Sequence, residues 1–129
     1  MTGFVDNIET LTTQNSDFRR VLYTGEHLQL VLMSLEPGQE IGAEVHEDHD
    51  QFFRIESGQG AVVIDGERTE VKDDDAIIVP AGAEHNVINT GSEPLRLYTL
   101  YGPPEHEEGV VAADKDDVEE EHFDGRTTE

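Results

Sequence analysis

Four side chains in this sequence carry donor atoms that together suit a metal ion: Glu44, His46, Gln51 and His85. Side chains alternate between the two faces of a strand, so Glu44 and His46 point the same way and Val45 points opposite. After a turn through residues 47–50, Gln51 opens the next apolar run and shares a face with Phe53 and Ile55. His85 opens a later run, directly after the Pro80-Ala81-Gly82 turn. One carboxylate, one amide oxygen and two imidazoles can therefore converge from neighbouring strands. That set suits a divalent first-row ion of borderline hardness: Zn, Fe, Mn, Ni or Co. Glu44, if it is not a ligand, could move protons beside the ion.

The remaining reactive side chains have plainer readings. His49 falls in the Glu47-Asp48-His49-Asp50 turn and is expected to be an exposed turn histidine. Arg54, Arg68 and Arg96 are scarce cations that could hold an anion, but strand parity points Arg54 away from Gln51, toward an outer salt bridge. Tyr98 and Tyr101 read as structural strand tyrosines. His106 could fold back over the mouth of the site but has little around it to suggest so, and His27 and His122 have no supporting context.

The elements that must position these residues are short strands. Residues 18–23 and 28–35 are rich in β-formers, and seven more short runs follow between residues 40 and 101. Between the runs sit Glu36-Pro37-Gly38, Ser57-Gly58, Asp65-Gly66, Ala81-Gly82 and Gly91-Ser92, which are turn chemistry. Asp65-Gly66 is the best hairpin signal. Such spacing predicts an all-β sandwich or barrel, with Phe53, Ile55, Val62, Ile64, Val87, Leu97 and Tyr101 lining its interior. Three segments are expected: an N-terminal arm over 1–17 without a helix, a β domain over 18–104, and an acidic tail over 105–129, solvated or loosely docked.

With 8 Lys and Arg against 30 Asp and Glu, the net charge is -22. The dense apolar runs can bury a core, so disorder of the whole chain is not expected. Carboxylates decorate strands and loops alike, a distribution like that of proteins from salt-accumulating halophiles. Concentrated salt screens such repulsion to about 3 Å at 1 M. The charge argues against nucleic acid and anionic membranes as partners. The sequence has no cysteine, and its start lacks the basic and apolar regions of a signal peptide, so a cytoplasmic protein is expected. Runs 30–35 and 76–80 are apolar on both faces and need cover on both, which predicts a homodimer.

Two motifs carry a family resemblance. Gly38, Glu44, His46, Gln51 and Gly58 follow the spacing G-x5-H-x-H-x4-E-x6-G. Asp74, Pro80, Gly82, His85 and Asn89 follow G-x5-P-x-G-x2-H-x3-N. In both respects the chain resembles the cupin superfamily over roughly residues 28–101, specifically a small single-domain cupin of the mannose-6-phosphate isomerase-like kind. The resemblance implies a jelly-roll β-barrel with a metal inside it. It also marks two departures: Glu44 stands at a histidine position and Gln51 at the glutamate position. A metal-binding module with a small-molecule ligand is the first functional expectation. The alternative is a metal-dependent enzyme on a small polar substrate, either isomerase-like on a sugar or sugar-phosphate or an Fe(II) dioxygenase. Fold alone does not separate these.

Overall fold

The computed structural model describes residues 2–119 and 121–129. One helix, α1 (Ile8–Gln14), precedes ten strands: β1 (Arg19–Thr24), β2 (Gln29–Leu35), β3 (Glu44–Val45), β4 (Asp50–Ser57), β5 (Gln59–Ile64), β6 (Glu67–Lys72), β7 (Ala76–Val79), β8 (Glu84–Asn89), β9 (Leu95–Gly102) and β10 (Val111–Ala112). They form a six-stranded sheet in the order β10-β1-β2-β9-β4-β7 and a four-stranded sheet in the order β3-β8-β5-β6. All the strand pairs are antiparallel.

Burial along the strands explains the pairing of the sheets. Inward and outward residues alternate along the whole of β9 and most of β4, so each presents one apolar face. Met33, Phe53, Ile55, Leu95 and Leu97 from the large sheet meet Val62, Val71 and Val87 from the small one in a single core. Phe53 is 1% exposed, and its truncation to alanine would cost about 3–5 kcal/mol. The result is the expected all-β jelly roll, its interior closed by side-chain packing between two separate ladders. Of the expected interior residues, Ile64 is only partly buried.

Turn chemistry behaves as the sequence suggests. Asp65 and Gly66 both have positive φ, 48° and 83°, which joins β5 to β6 as a tight hairpin. Gly58 has φ 103°, and a Cβ there would stand 2.8 Å from the Pro94 carbonyl oxygen. Asp74, which stands where the second motif has glycine, has φ 73°, a region that aspartate tolerates better than most residues.

Three expectations need correction. Residues 40–46 do not form one strand: Glu40 makes an isolated bridge to Ile88, and only Glu44–Val45 pairs with β8. Gly42, at φ 109°, turns the chain between them. The N-terminal arm contains a helix, because the Asn7 side chain caps it by accepting from the Thr10 N–H at 3.0 Å. The C-terminal residues are not simply solvated. β10 pairs with β1, the Phe123 N–H donates to the Glu105 carbonyl at 2.8 Å, and the Thr128 N–H donates to the Thr24 carbonyl at 2.8 Å. Among the described residues no helix is long and apolar enough to cross a membrane.

Candidate metal centre

Glu44 and His85 face each other across the β3–β8 ladder. His46 follows β3 immediately, and its Nε2 lies 3.0 Å from Glu44 Oε2. The His46 and His85 ring centroids are 5.4 Å apart. Gln51 enters from the other sheet, on β4, opposite Tyr101 of β9. Tyr101 in turn meets the His46 ring edge-on at 5.8 Å. Glu44, His46 and His85 therefore lie together, and Gln51 approaches them from the other sheet beside Tyr101. His85 and Gln51 are buried, at 5% and 4% exposure, whereas the Glu44 side chain is 31% exposed and lies toward the opening.

The donor atoms are oriented by their neighbours. His85 Nδ1 lies 3.2 Å from the Ala83 carbonyl oxygen, which can only accept, so the neutral ring carries its proton there and leaves Nε2 bare. Thr99 Oγ1 donates to the Phe52 carbonyl at 2.9 Å and must therefore accept from Gln51, whose Nε2 stands 3.0 Å away. That fixes the amide with its oxygen on the opposite side, and Gln51 Oε1 is buried without a hydrogen-bond partner. His46 Nε2 is likewise buried and makes no aligned hydrogen bond, despite its short approach to Glu44. The pair is a charge contact with misdirected geometry.

Electrostatics follow from that contact. Burial pushes the Glu44 carboxyl up, but His46, with Arg19 and His85 farther off, outweighs it and holds the carboxyl below its ordinary value. Glu44 raises the His46 imidazole above its ordinary value, against the opposing effect of burial, with help from Glu105. Burial is also the main reason that the Tyr101 phenol is pushed far up.

These residues fit a metal ion by donor chemistry. Of the seven buried side-chain polar atoms without a hydrogen-bond partner among the described residues, two, Gln51 Oε1 and His46 Nε2, belong to potential ligands, while a third ligand has a bare nitrogen. Two ligand atoms about 2.1 Å from one ion at a right angle stand about 3.0 Å apart, the separation seen between Glu44 and His46. Among the described residues, however, no three His, Asp or Glu side chains are already drawn together as a compact metal cluster. Glu44 and His46 touch, and His85 stands one ring away.

Sequence reasoning missed the residues that close the site. Glu105 Oε2 lies 3.1 Å from His49 Nε2 and 3.7 Å from His46 Nδ1. His49 is not an exposed turn residue: its side chain is 17% exposed, and its Nε2 also lies 2.9 Å from the Pro104 carbonyl oxygen. His106 does fold back and is buried, with Nε2 3.3 Å from the Tyr101 hydroxyl. The one signal for this was Pro103-Pro104, which ends β9 and redirects the chain. Arg54 does turn outward, pairing with Glu56 at 3.0 Å and Asp74 at 3.2 Å.

Comparison with known proteins agrees with this arrangement of strands and motifs. Residues 31–101 match the Cupin_2 cupin domain. The chain belongs to this cupin family. The uncharacterized protein YrkC of Bacillus subtilis is 50% identical over 121 residues, which cover 89% of this chain and 65% of that protein, so the chain spans just under two-thirds of that relative. The uncharacterized protein L612 of Acanthamoeba polyphaga mimivirus is 40% identical over 113 residues, covering 84% of this chain and 70% of L612. The crystal structure of BH2720 from Bacillus halodurans superposes with a TM-score of 0.88 at 48% identity, covering 90% of this chain and 92% of that one. Within this cupin, the motif asparagine Asn89 does structural work, donating to the Leu35 and Glu93 carbonyls at 2.9 and 2.8 Å.

Proposed function

We propose that this cupin holds one divalent first-row ion, Zn, Fe, Mn, Ni or Co, through His46, His85, Glu44 and Gln51. The observation that carries the reading is the buried Gln51 Oε1, held away from every protein donor by the Thr99 hydroxyl. An unpaired buried amide oxygen costs about 1–3 kcal/mol, and a cation would offset that cost. The set contains one carboxylate, so it matches the charge of the histidine-rich site with a glutamate that the cupin motif describes. When bound, the ion supplies Lewis acidity, able to polarise a carbonyl or order a pair of hydroxyls. Glu44, at the opening, borders the path by which a small polar ligand would reach it. Titration of metal-stripped protein with Zn2+ tests the reading. One ion per chain, lost in His85→Ala, is expected; no binding by the wild-type chain would overturn it.

A second reading is a metal-dependent enzyme on a small polar substrate, such as a sugar or sugar-phosphate isomerase or an Fe(II) dioxygenase. It is favoured by Glu105 and His49, two protonatable groups 3.1 Å apart beside His46 that the ligand set leaves unused. An acid–base pair at that position is what an isomerisation needs and a storage site does not.

A further inference from the structure

An amide is a weak ligand unless it is held with its oxygen forward. Thr99 accounts for one Gln51 N–H. The other is left for Tyr101, which stands directly opposite Gln51 across the β4–β9 ladder, close enough for the amide to influence its phenol. Whether that hydroxyl can accept depends on where its own proton goes, and the C-terminal residues answer this. Glu121 Oε1 lies 2.7 Å from His106 Nδ1. A carboxylate only accepts, so in the neutral ring the proton sits on Nδ1 and leaves Nε2 bare. That nitrogen then takes the Tyr101 O–H at 3.3 Å, which turns the phenol oxygen toward Gln51 as an acceptor.

Both ends of this line are anchored. Glu121 also accepts from the Glu107 N–H at 2.7 Å, and Arg19 stands 3.9 Å from it. His106 is clamped through its backbone by Gln29, which is fully buried. The Gln29 oxygen accepts from the Glu105 and His106 N–H groups at 3.1 and 3.0 Å. Its nitrogen donates to the His106 carbonyl at 2.8 Å and to the Thr24 hydroxyl at 2.9 Å. All four hydrogen-bonding capacities of that amide are used.

We propose that Glu121, His106 and Tyr101 are positioning residues for Gln51: a line of hydrogen bonds from the C-terminal segment that presents the amide oxygen to the metal. The inference rests on the metal reading above. It makes His106 and Glu121 part of the site, although they lie outside the cupin motifs. It also accounts for an amide serving where the motif has a carboxylate. A carboxylate offers an acceptor whichever way it is turned, whereas an amide must be oriented.

The test is a cycle of Co2+ titrations followed by the metal's visible spectrum. Tyr101→Phe, isosteric and expected to fold, should weaken Co2+ binding about tenfold or more, the range for loss of an outer-shell partner, and shift the spectrum. In a Gln51→Glu background the same change should leave affinity and spectrum as they are. An unchanged affinity and spectrum for Tyr101→Phe in the wild-type background would overturn the proposal while leaving the metal site standing. If the wild-type chain binds no Co2+, the metal reading fails first. The line of hydrogen bonds is then judged on metal-free protein by the 15N shifts of His106. Protonated Nδ1 with bare Nε2 is expected, and protonated Nε2 overturns the line.

Discussion

His46 Nε2 and Glu44 Oε2 approach to 3.0 Å without an aligned hydrogen bond between them. Below the raised His46 value the contact is an ion pair in metal-free protein, and its pH dependence has a defined sign. The raised His46 value stabilises the fold at low pH, and this contribution is lost as pH rises through the raised value. The lowered Glu44 value stabilises at higher pH, and this contribution is lost as pH falls through the lowered value. The pair therefore stabilises most between the ordinary carboxylate value of 4.5 and the ordinary imidazole value of 6.5. Melting curves of stripped wild-type and Glu44→Gln proteins should differ most in that window and converge above the raised His46 value. Metal must displace the His46 proton, so affinity should fall as pH drops through the same value.

Glu105 separates the two functional readings. If the protein is an enzyme, any turnover found in a screen for sugar-phosphate isomerisation, or for O2 uptake with Fe(II), should drop by about 10²-fold or more in Glu105→Gln. Bound metal should be unchanged in that variant. Turnover unaffected by the substitution would remove Glu105 from the chemistry.

The legibility of the molecule was uneven for physical reasons. Strands with alternating burial, such as β4 and β9, write their inward face directly into the sequence. The hairpin at Asp65-Gly66 was legible because the turn requires positive φ at both residues. Glu44, His46, Gln51 and His85 were singled out by motif spacing and strand parity, and the structure sets Glu44, His46 and His85 close together. Helix α1 was not, since its support is one Asn7 cap and only two apolar side chains, Ile8 and Leu11. His106 could be named as able to fold back, but Glu105 and Glu121 were hidden in a charged, aperiodic stretch. The places of Glu105 and His106 depend on the buried amide of Gln29, more than 70 residues earlier, and long-range pairing of that kind leaves no periodic trace.

Salt should govern stability. With a net charge of -22, carboxylate repulsion opposes the compact state in dilute buffer and is screened at molar KCl. We expect the melting temperature to rise steeply with KCl and structure to be lost at low salt. A melting temperature indifferent to KCl would contradict the halophile reading.

We propose a homodimer through the outer face of the large sheet. Ladder register places Ile78, Phe52, Leu100 and Leu30 side by side across β7, β4, β9 and β2, a row with no carboxylate in it. Ile78 is 70% exposed, whereas its neighbour Ile77 is in the core at 6%. At high salt, light scattering should give twice the chain mass, and Ile78→Glu should shift it toward the monomer. A wild-type monomer under those conditions removes the claim.

The most direct test of the metal site is anomalous diffraction from crystals grown with Co2+ or Zn2+. The account predicts one strong peak per chain, bonded by His46 Nε2, His85 Nε2, Glu44 and Gln51 Oε1. A peak absent from the barrel, or one bonded by Glu105 and His49 at the mouth with Gln51 Oε1 turned away, would contradict it.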